Sequence, residues 1–532
     1  MFLMLLAVVA LFSSSCTKVP KSAKLIPEDA TFVARLNVKQ IAEKAGMNGN
    51  SPIKNDLKSA LKDAGLSRQL TEKFNAILED PSEAGLDLRD PLFIYGKMDL
   101  NHVGEPEAGL VGTVYDADKF EALLNDIQKD AGLQSLKRAD DLRYVTFDNI
   151  LLAFNDDIFC IKSVPQDKNE KTVLNDLKTA LNADGEKTMY ENKFFKQMCS
   201  KSGDAQFLIS YGILSHQPYI NYTETLSKKG LNYEDYAYLF DVNIKQGETV
   251  IDCENLVKSE AWEEFLNQYE GMSQTINGDF AKHISKDGLA FFGNINGSKL
   301  FEVIKDMLAS EKVSENELAM AEPIFNSIDG DIALGFSGID VKTAVPDVKF
   351  YAKTKDATIV NFIVGMGQFG DDLKKKGKNN YEVMMPESTK SVFSFGWKDN
   401  TTYFATKGSQ LAFANAANPF DKGDVGKYLY YGYFNFNMLN RIDAESLFGL
   451  SVSKELEMIA KIFDYVEMYA KDMRKGTVRI VQRNKDENII QAIYAYAKGF
   501  VSRQQAEWAA ADSIYADAIE YELDSAMTEA AR

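Results

Sequence analysis

Histidine and cysteine are both scarce in this sequence of 532 residues, which argues against several kinds of site. No histidine has a second one at metal-ligand spacing, so we interpret all of them as generic surface residues. The histidines are His102, His216 and His283, and the cysteines are Cys16, Cys160, Cys199 and Cys253. Because no CxxC pair is present, zinc is not expected, and no metal or cofactor ligand is assigned.

Positive charge is also in short supply, since 60 Lys and Arg residues stand against 78 Asp and Glu residues, for a net charge of −18. A surface of this sign repels phosphate backbones, so nucleic acid is not an expected partner. After the first dozen residues, no stretch reaches the ~18 uninterrupted apolar residues of a transmembrane helix. We therefore expect a soluble body of about two to four domains.

Motifs of activated nucleophiles and nucleotide sites are missing too. The sequence has no GxSxG elbow, HExxH helix, Walker loop or SxxK motif, and few histidines are available to activate a serine or cysteine. No catalytic residue is assigned, and a non-catalytic function is favoured. Paired carboxylates hydrolyse glycosides without histidine, so a hydrolase with two acids about 5 to 10 Å apart in a cleft stays an alternative.

The N-terminus has the features of a bacterial lipoprotein signal. Residues 2–12 (FLMLLAVVALF) form an apolar run, serines follow, and Cys16 comes directly after them. Residues 1–15 are predicted to be a signal peptide and Cys16 the lipid-attachment residue, with palmitate among its acyl chains. Residues 16–25 are then predicted to be an extended tether of about 25 Å, at roughly 3.3 Å per residue.

The rest of the chain contains an internal repeat at an offset of about 240 residues. Landmarks recur in the same order: a strand-to-helix step at an asparagine, a strand opened by an aspartate, an aspartate-capped helix and a hairpin turn. They are Asn37 and Asn296, Asp90 and Asp331, Asp116 and Asp356, and Asp156-Asp157 and Asp399-Asn400. We name the repeated units A and A′.

A second kind of unit follows each of these, so the predicted order is A, B, A′, B′. The B unit begins near Asp204 and the B′ unit near Asp424. Each is predicted to contain a hairpin that leads into a helix with a tryptophan, Trp262 in the first case and Trp508 in the second. In B′ the hairpin is predicted from residues 476–497.

Alternating strands joined by hairpins and backed by amphipathic helices predict an α+β fold, with antiparallel sheets flanked by helices in tandem-duplicated halves. The halves are predicted to span residues 26–275 and residues 284–532, and to face each other or stack. A groove between them is a natural position for a ligand. Residues 455–473 and the C-terminal segment carry apolar stripes at helical spacing, which predicts helices that dock on a sheet.

Aromatic residues crowd one predicted strand. They are Tyr428, Tyr430, Tyr431, Tyr433, Phe434 and Phe436. Alternation places Tyr431 and Tyr433 on one face and the other four on the opposite face. One face is predicted to be core, and the other could stack on sugar rings or on a partner protein, although a half-buried strand explains the pattern as well.

Two short motifs resemble ligand sites but occur in the wrong context. Gly365-Met-Gly367-Gln-Phe-Gly370 satisfies GxGxxG, yet the repeat places it within a helix or at its end, not in a strand-to-helix turn. Asp329-Gly-Asp331 and Asp116-Ala-Asp118 resemble the start of a calcium loop, but a strand and a helix follow them. Turn and N-cap roles are therefore predicted for these aspartates.

The export signal, the opening IPxDAxxVxxLN at residues 26–37 and the body that fills the chain resemble a family of Bacteroidota lipoproteins described as a domain of unknown function. The resemblance implies an envelope lipoprotein and supplies no catalytic residues. Surface-displayed lipoproteins of that group tend to carry acids soon after the lipidated cysteine, whereas this chain has Lys18, Lys21 and Lys24. The analogy favours the periplasmic side of the outer membrane over the cell surface.

These inferences favour a membrane-anchored lipoprotein that binds a protein or glycan partner without catalysis. The first alternative is a lipid-anchored, glycan-active hydrolase that uses carboxylates. The second is an assembly or structural factor of the outer membrane. The oligomeric state, the ligand and the redox state of Cys160, Cys199 and Cys253 stay open at this point.

Overall fold

A computed structural model shows an α+β protein built on one antiparallel sheet of 20 strands, which confirms the predicted fold class. It describes residues 19–499 apart from residues 48, 50, 98–106, 165–168, 183–186, 212–229, 311–312, 341–344, 385–390, 407–410, 442–455 and 457. Because every described strand pair is antiparallel, side chains alternate between the two faces along each strand.

The first part of the chain contributes strands β1 to β10. Their bounds are β1 (Phe32–Leu36), β2 (Leu92–Lys97), β3 (Glu107–Thr113), β4 (Lys137–Ala139), β5 (Leu142–Phe147), β6 (Ile150–Phe154), β7 (Ile158–Ser163), β8 (Ala205–Ser210), β9 (Tyr236–Lys245) and β10 (Glu248–Val257). In space these strands follow the order β4-β5-β6-β7-β3-β2-β1-β8-β9-β10.

The later part of the chain contributes strands β11 to β20. Their bounds are β11 (Leu289–Asn296), β12 (Ile328–Asp340), β13 (Val345–Thr354), β14 (Leu373–Gly377), β15 (Asn380–Met384), β16 (Ser391–Lys398), β17 (Thr401–Ala405), β18 (Tyr430–Asn435), β19 (Phe463–Ala470) and β20 (Lys475–Gln482). In space these strands follow the order β14-β15-β16-β17-β13-β12-β11-β18-β19-β20.

Helices connect the strands and pack on the sheet. Their bounds are α1 (Val38–Lys44), α2 (Pro52–Asp63), α3 (Arg68–Glu79), α4 (Ala117–Ala131), α5 (Glu170–Asn182), α6 (Lys193–Cys199), α7 (Glu260–Asn267), α8 (Gly297–Ser310), α9 (Glu315–Ser327), α10 (Thr358–Gly365) and α11 (Lys422–Val425). Residues 489–499 form one more helix, which we call α12.

The two sets of strands form one continuous sheet because β10 pairs with β20, with Ile251 opposite Val478. Counted outward from this seam, corresponding strands follow the same order on both sides. The prediction that the halves face each other or stack is wrong, since they lie side by side. Ladder hydrogen bonds cross the seam directly, so in the described part of the chain it is a strand pair and not a groove.

Local signals account for where several helices begin. The Asp116 carboxylate caps α4 by accepting a backbone N–H three residues later at 3.0 Å, and Asn296 does the same for α8 at 3.0 Å. Asp356 accepts a backbone N–H at 2.9 Å just before α10. Asn37 also precedes a helix, but its side-chain amide donates to the carbonyl of Gly203 instead.

The hairpin turns are also where the sequence predicts them. Residues 155–157 separate β6 from β7, and Asp399-Asn400 join β16 to β17 with φ values of 52° and 56°. Two consecutive residues of positive φ match the right-handed twist of a tight hairpin, and Asp and Asn tolerate a positive φ. One detail is wrong: β12 begins at Ile328, so Asp331 lies inside the strand and does not open it.

The predicted helix at residues 455–473 is wrong over much of its length. Described helical backbone ends at Ile462, and β19 follows, paired on both sides with β18 and β20. The predicted hairpin in residues 476–497 is wrong as well, because β20 ends at Gln482 and α12 occupies its second half. Neighbouring strands supply ladder hydrogen bonds that a local pattern cannot reveal, so tertiary pairing overrides helical spacing here.

The hairpin and the tryptophan-containing helix predicted for the first B unit are both present. Strands β9 and β10 form the predicted hairpin, and α7 follows with Trp262 buried. The corresponding Trp508 and the predicted C-terminal helix lie outside the described residues.

Cores form on both faces at each end of the sheet. We call the face that carries Leu36, Ile251 and Phe291 the front and the other the back. On the front, α1 to α4 cover the first half, and α10 covers the second half around Phe395. On the back, α5 and α6 pack on the first half, and residues 411–428 pack on the second.

The predicted tether is too long. Lys21–Leu25 form a 3-10 helix, and Ala23, Leu25 and Ile26 are buried in the back core of the first half, against which Val19 also packs. Burial of these apolar side chains favours a folded segment over an extended one. The folded body therefore includes the chain from Val19 onward, while residues 1–18 lie outside the described residues.

Candidate functional site

A cleft of about 760 Å³ opens on the back face, at one end of β1, β8 and β9. This volume lies within the roughly 300–1,000 Å³ of small-molecule sites. Its apolar part includes Phe194 on α6 and Leu208 on β8. Its charged residues are Glu28, Asp29, Glu234, Lys97, Lys187 and Lys258. The cleft thus combines an apolar floor with charged groups of both signs.

Individual contacts fix several of these charged groups. Lys97 forms an ion pair with Asp29, and the ammonium of Lys258 lies 5.7 Å from the centre of the Phe194 ring. Lys187 has a φ of 62°, which a residue with a side chain adopts only at some cost in energy. Such backbone conformations are concentrated at functional sites. The arrangement can attract carboxylates and ammonium groups of one ligand at separate points.

Tyr233 adds an aromatic ring and a hydroxyl to the cleft. Its ring is stacked on Tyr211 with the centres 5.6 Å apart, beside Trp262, whose indole N–H donates to the Asn232 carbonyl at 2.6 Å. The Tyr233 Oη is buried and has no hydrogen-bond partner in the part of the chain that the structure describes. Burial raises the pKa of this hydroxyl, which therefore stays protonated and able to donate. A ligand oxygen would satisfy it.

Sequence reasoning assigned none of these cleft residues to a site. They come from separate stretches of the chain that meet only when β1, β8 and β9 pair. The one signal was the motif at residues 26–37, which contains Glu28, Asp29 and Thr31, all of which line the cleft.

Two of the described cysteines, Cys160 and Cys199, are not reactive groups of a site. Cys160, Cys199 and Cys253 are all free thiols. Burial raises the pKa of Cys160 and of Cys199 to about 12, so both remain protonated and inert. Cys16, the predicted lipid-attachment residue, lies outside the described residues.

The prediction that every histidine is a surface residue is wrong for His283. Its ring is buried 5.6 Å from the Tyr351 ring, and its Nδ1 lies 3.3 Å from the carbonyl oxygen of Ala414. Burial lowers the pKa of His283, which favours a neutral imidazole packed in the back core. His102 and His216 lie outside the described residues.

The Asp329-Gly-Asp331 motif is structural, and its two carboxylates do not share a site. Asp331 is 1% exposed and accepts backbone N–H groups from Asn277 at 2.8 Å and Asp279 at 3.0 Å, and the side-chain amide of Asn294 at 3.0 Å. Asp329 is exposed and pairs with a lysine at 3.8 Å. Asp331 therefore holds a loop against β12, a role that its position inside a strand concealed.

The GxGxxG sequence ends a helix, as predicted. Helix α10 stops at Gly365, and Gly367 and Gly370 follow with φ values of 66° and 45°. Among the described residues, an added Cβ would meet no atom within 4 Å at any of them. The glycines supply backbone freedom and not close packing.

The aromatic strand is largely as predicted. Tyr431 and Tyr433 pack in the back core, while Tyr430 is on the front face. Tyr428 is the exception, because it precedes β18 and stacks on Tyr469 at 4.5 Å on the back. The strand is half-buried, and no ligand site is assigned to its back face.

The described residues give little support for a carboxylate-dependent hydrolase or for a metal site. Wherever the pKa of a described carboxyl group is shifted, it is lowered. For example, hydrogen bonds from Lys54 and Lys58 lower the pKa of Glu79 to about 2. A glycosidase acid needs a raised pKa. No group of three or more His, Cys, Asp and Glu among the described residues could hold a metal ion. The carboxylate hydrolase stays an alternative prediction.

Comparison with known proteins identifies a family and nothing beyond it. The family described as a domain of unknown function (DUF4836) matches residues 23–490, most of the chain. No curated protein and no solved structure gives a significant match. In the part of the chain that the structure describes, no helix has both the length and the apolar composition needed to cross a membrane.

Proposed function

We infer that this chain, which belongs to the DUF4836 family, is a lipid-anchored envelope lipoprotein that binds a charged glycan in the cleft beside β1 without catalysing a reaction. Lipid on Cys16, with palmitate among the acyl chains, would hold it at the outer membrane. The lysines near Cys16 favour the periplasmic side. The observation that carries the binding proposal is the buried hydroxyl of Tyr233, which has no hydrogen-bond partner among the described residues, in a cleft lined by charges of both signs.

The short N-terminal segment would hold the cleft close to the membrane. Only Thr17 and Lys18 separate Cys16 from Val19, which packs on the core. At about 3.3 Å per residue, the lipidated residue would lie within roughly 10 Å of the folded body. Residues that line the cleft begin soon after, at Glu28. Acyl chains contribute about 0.8 kcal/mol per buried CH2, so two or three of them make such an attachment effectively permanent.

The chemistry of the cleft favours a glycan that carries both carboxylate and amino groups. Lys187 and Lys258 supply positive charge for ligand carboxylates, with Lys258 already paired to Asp235 at 3.7 Å, whereas Glu28 and Glu234 attract ammonium groups. The Tyr233 hydroxyl can donate to a sugar oxygen, and its ring offers an apolar surface to a sugar ring. Peptidoglycan fragments combine these features, because their sugars carry short peptides with free amino and carboxyl groups. They are the probes that we choose.

We expect soluble peptidoglycan fragments to bind the purified Cys16→Ala protein, as measured by isothermal titration calorimetry. Lys258→Glu should raise the Kd at least about tenfold, because it turns attraction for a ligand carboxylate into repulsion. Tyr233→Phe removes one donor and keeps the ring, so it should raise the Kd about fivefold, which corresponds to ~1 kcal/mol.

Lys129→Glu is the matched control, since it makes the same charge change in the last turn of α4, away from the cleft. Its Kd should equal that of the parent protein. Equal affinity in all the variants, or no binding of any fragment, would contradict the proposal. Release of new products from the fragments during prolonged incubation would favour the carboxylate hydrolase instead.

A further inference from the structure

A buried polar cluster lies on the back face, where β1 ends and β8 begins. Arg35 on β1 lies directly opposite Gln206 on β8. Two residues further along, the backbone N–H of Asn37 donates to the Asp204 carbonyl at 2.9 Å, so these residues also face each other. The four side chains thus form the corners of a square on one face of the sheet, and each residue is at most 1% exposed. We call these four residues the polar square.

Hydrogen bonds within the described chain satisfy only one corner of the polar square. The Gln206 carboxamide accepts from Arg35 at 2.6 Å and donates to the Gly203 carbonyl at 2.8 Å. At each other corner, one buried atom has no partner among the described residues: Arg35 Nε, Asn37 Oδ1 and Asp204 Oδ1. Turning the Asn37 amide over would not help, because its nitrogen already donates to the Gly203 carbonyl. One donor and two acceptors therefore need a further partner.

The charges around these three atoms indicate what the partner is. The ammonium of Lys44 lies 2.6 Å from Asp204 Oδ2 and neutralises this carboxylate, and Arg35 adds a second positive charge. A metal ion would be repelled by both cations, and an anion would be repelled by the two acceptor oxygens. A neutral molecule with one acceptor and two donors fits all three atoms. Water is such a molecule, and a buried water typically makes about three hydrogen bonds.

We propose that one buried water binds at the centre of the polar square, where it accepts from Arg35 Nε and donates to Asn37 Oδ1 and Asp204 Oδ1. The water links the end of β1 to the start of β8 and, through Asp204, to Lys44 on α1. It also gives a role to Asn37, the last residue of the motif at residues 26–37, whose side chain makes no capping bond to α1. The site is independent of the glycan cleft, since none of the four residues lines it.

A crystal structure of the Cys16→Ala protein, at a resolution that shows ordered waters, tests the site directly. We expect one peak of electron density within about 3.2 Å of Arg35 Nε, Asn37 Oδ1 and Asp204 Oδ1. Absence of the peak would overturn the proposal, and so would a direct hydrogen bond from Arg35 Nε to either oxygen. A peak at the shorter distances of a metal ion, about 2.0–2.6 Å from both oxygens, would overturn it as well.

Asn37→Gln provides a second test, in solution. Its longer side chain can reach the centre of the polar square, where the amide accepts from Arg35 and donates to Asp204 in place of the water. Oxygen-17 magnetic relaxation dispersion counts long-lived buried waters, and the count should fall by about one.

Asn296→Gln is the matched control, because it makes the same change at the partly exposed cap of α8, and the count should equal that of the parent protein. Unchanged near-ultraviolet circular dichroism would show that both variants stay folded. An equal count in the parent protein and in Asn37→Gln would overturn the proposal.

Discussion

Asp331→Ala is expected to lower the free energy of unfolding of the second half of the sheet by about 3 kcal/mol or more. The substitution removes an acceptor for two backbone N–H groups and for the amide of Asn294, all in a buried position. Each donor left unpaired costs about 1–3 kcal/mol. Denaturant unfolding followed by tryptophan fluorescence measures the loss, because Trp397 on β16 belongs to this half.

Asp329→Ala is the matched control within the same motif. The Asp329 side chain is 54% exposed and pairs with Lys355 at 3.8 Å, so its loss should change the free energy of unfolding by no more than about 0.5 kcal/mol. Similar losses in the two variants would contradict the anchoring role given to Asp331.

Phe93→Ala is expected to destabilise the first half of the sheet by about 3–5 kcal/mol, the usual cost of removing a buried phenylalanine ring and leaving a cavity. Phe93 is 0% exposed in the back core, and its ring centre lies 5.3 Å from that of Phe195. Denaturant unfolding checks this too, with the emission of Trp262 reporting on the first half.

Ile94→Ala changes the next residue along β2, on the front face, where the side chain is 38% exposed. The loss should stay below about 1 kcal/mol, because little apolar surface is uncovered. If Ile94→Ala were as damaging as Phe93→Ala, the assignment of the two faces of β2 would be wrong.

Local sequence signals predicted much of the secondary structure because they depend on neighbouring residues. An aspartate before a helical pattern gave the start of α4 at Asp116, and Asp399-Asn400 gave a hairpin turn. Alternation of apolar and polar residues predicted the hairpin of β9 and β10. Such features need no knowledge of the rest of the chain.

Long-range pairing could not be predicted in the same way. The seam joins residues 248–254 to residues 475–481, and no local pattern marks either segment as the partner of the other. For the same reason β19 was mistaken for part of a helix. The internal duplication remains a prediction from sequence, and the equal order of strands on the two sides of the seam is the observation that supports it.

The cleft could not be predicted because its polar groups come together only in the folded chain. Nothing in the sequence shows that the Tyr233 hydroxyl is buried with no partner among the described residues, or that Lys187 has a positive φ. Scarcity of histidine argued against common catalytic motifs, but it could not locate a binding site.

Attachment of the body to a membrane through lipid on Cys16 is the central claim, and intact mass with membrane fractionation tests it most directly. Wild type and Cys16→Ala are compared in a host that processes lipoproteins. We predict that the wild-type protein loses residues 1–15, gains the mass of two or three acyl chains and sediments with membranes. The Cys16→Ala protein is predicted to gain no acyl chains and not to sediment with membranes. A wild-type protein without the lipid mass and in the soluble fraction would contradict the account.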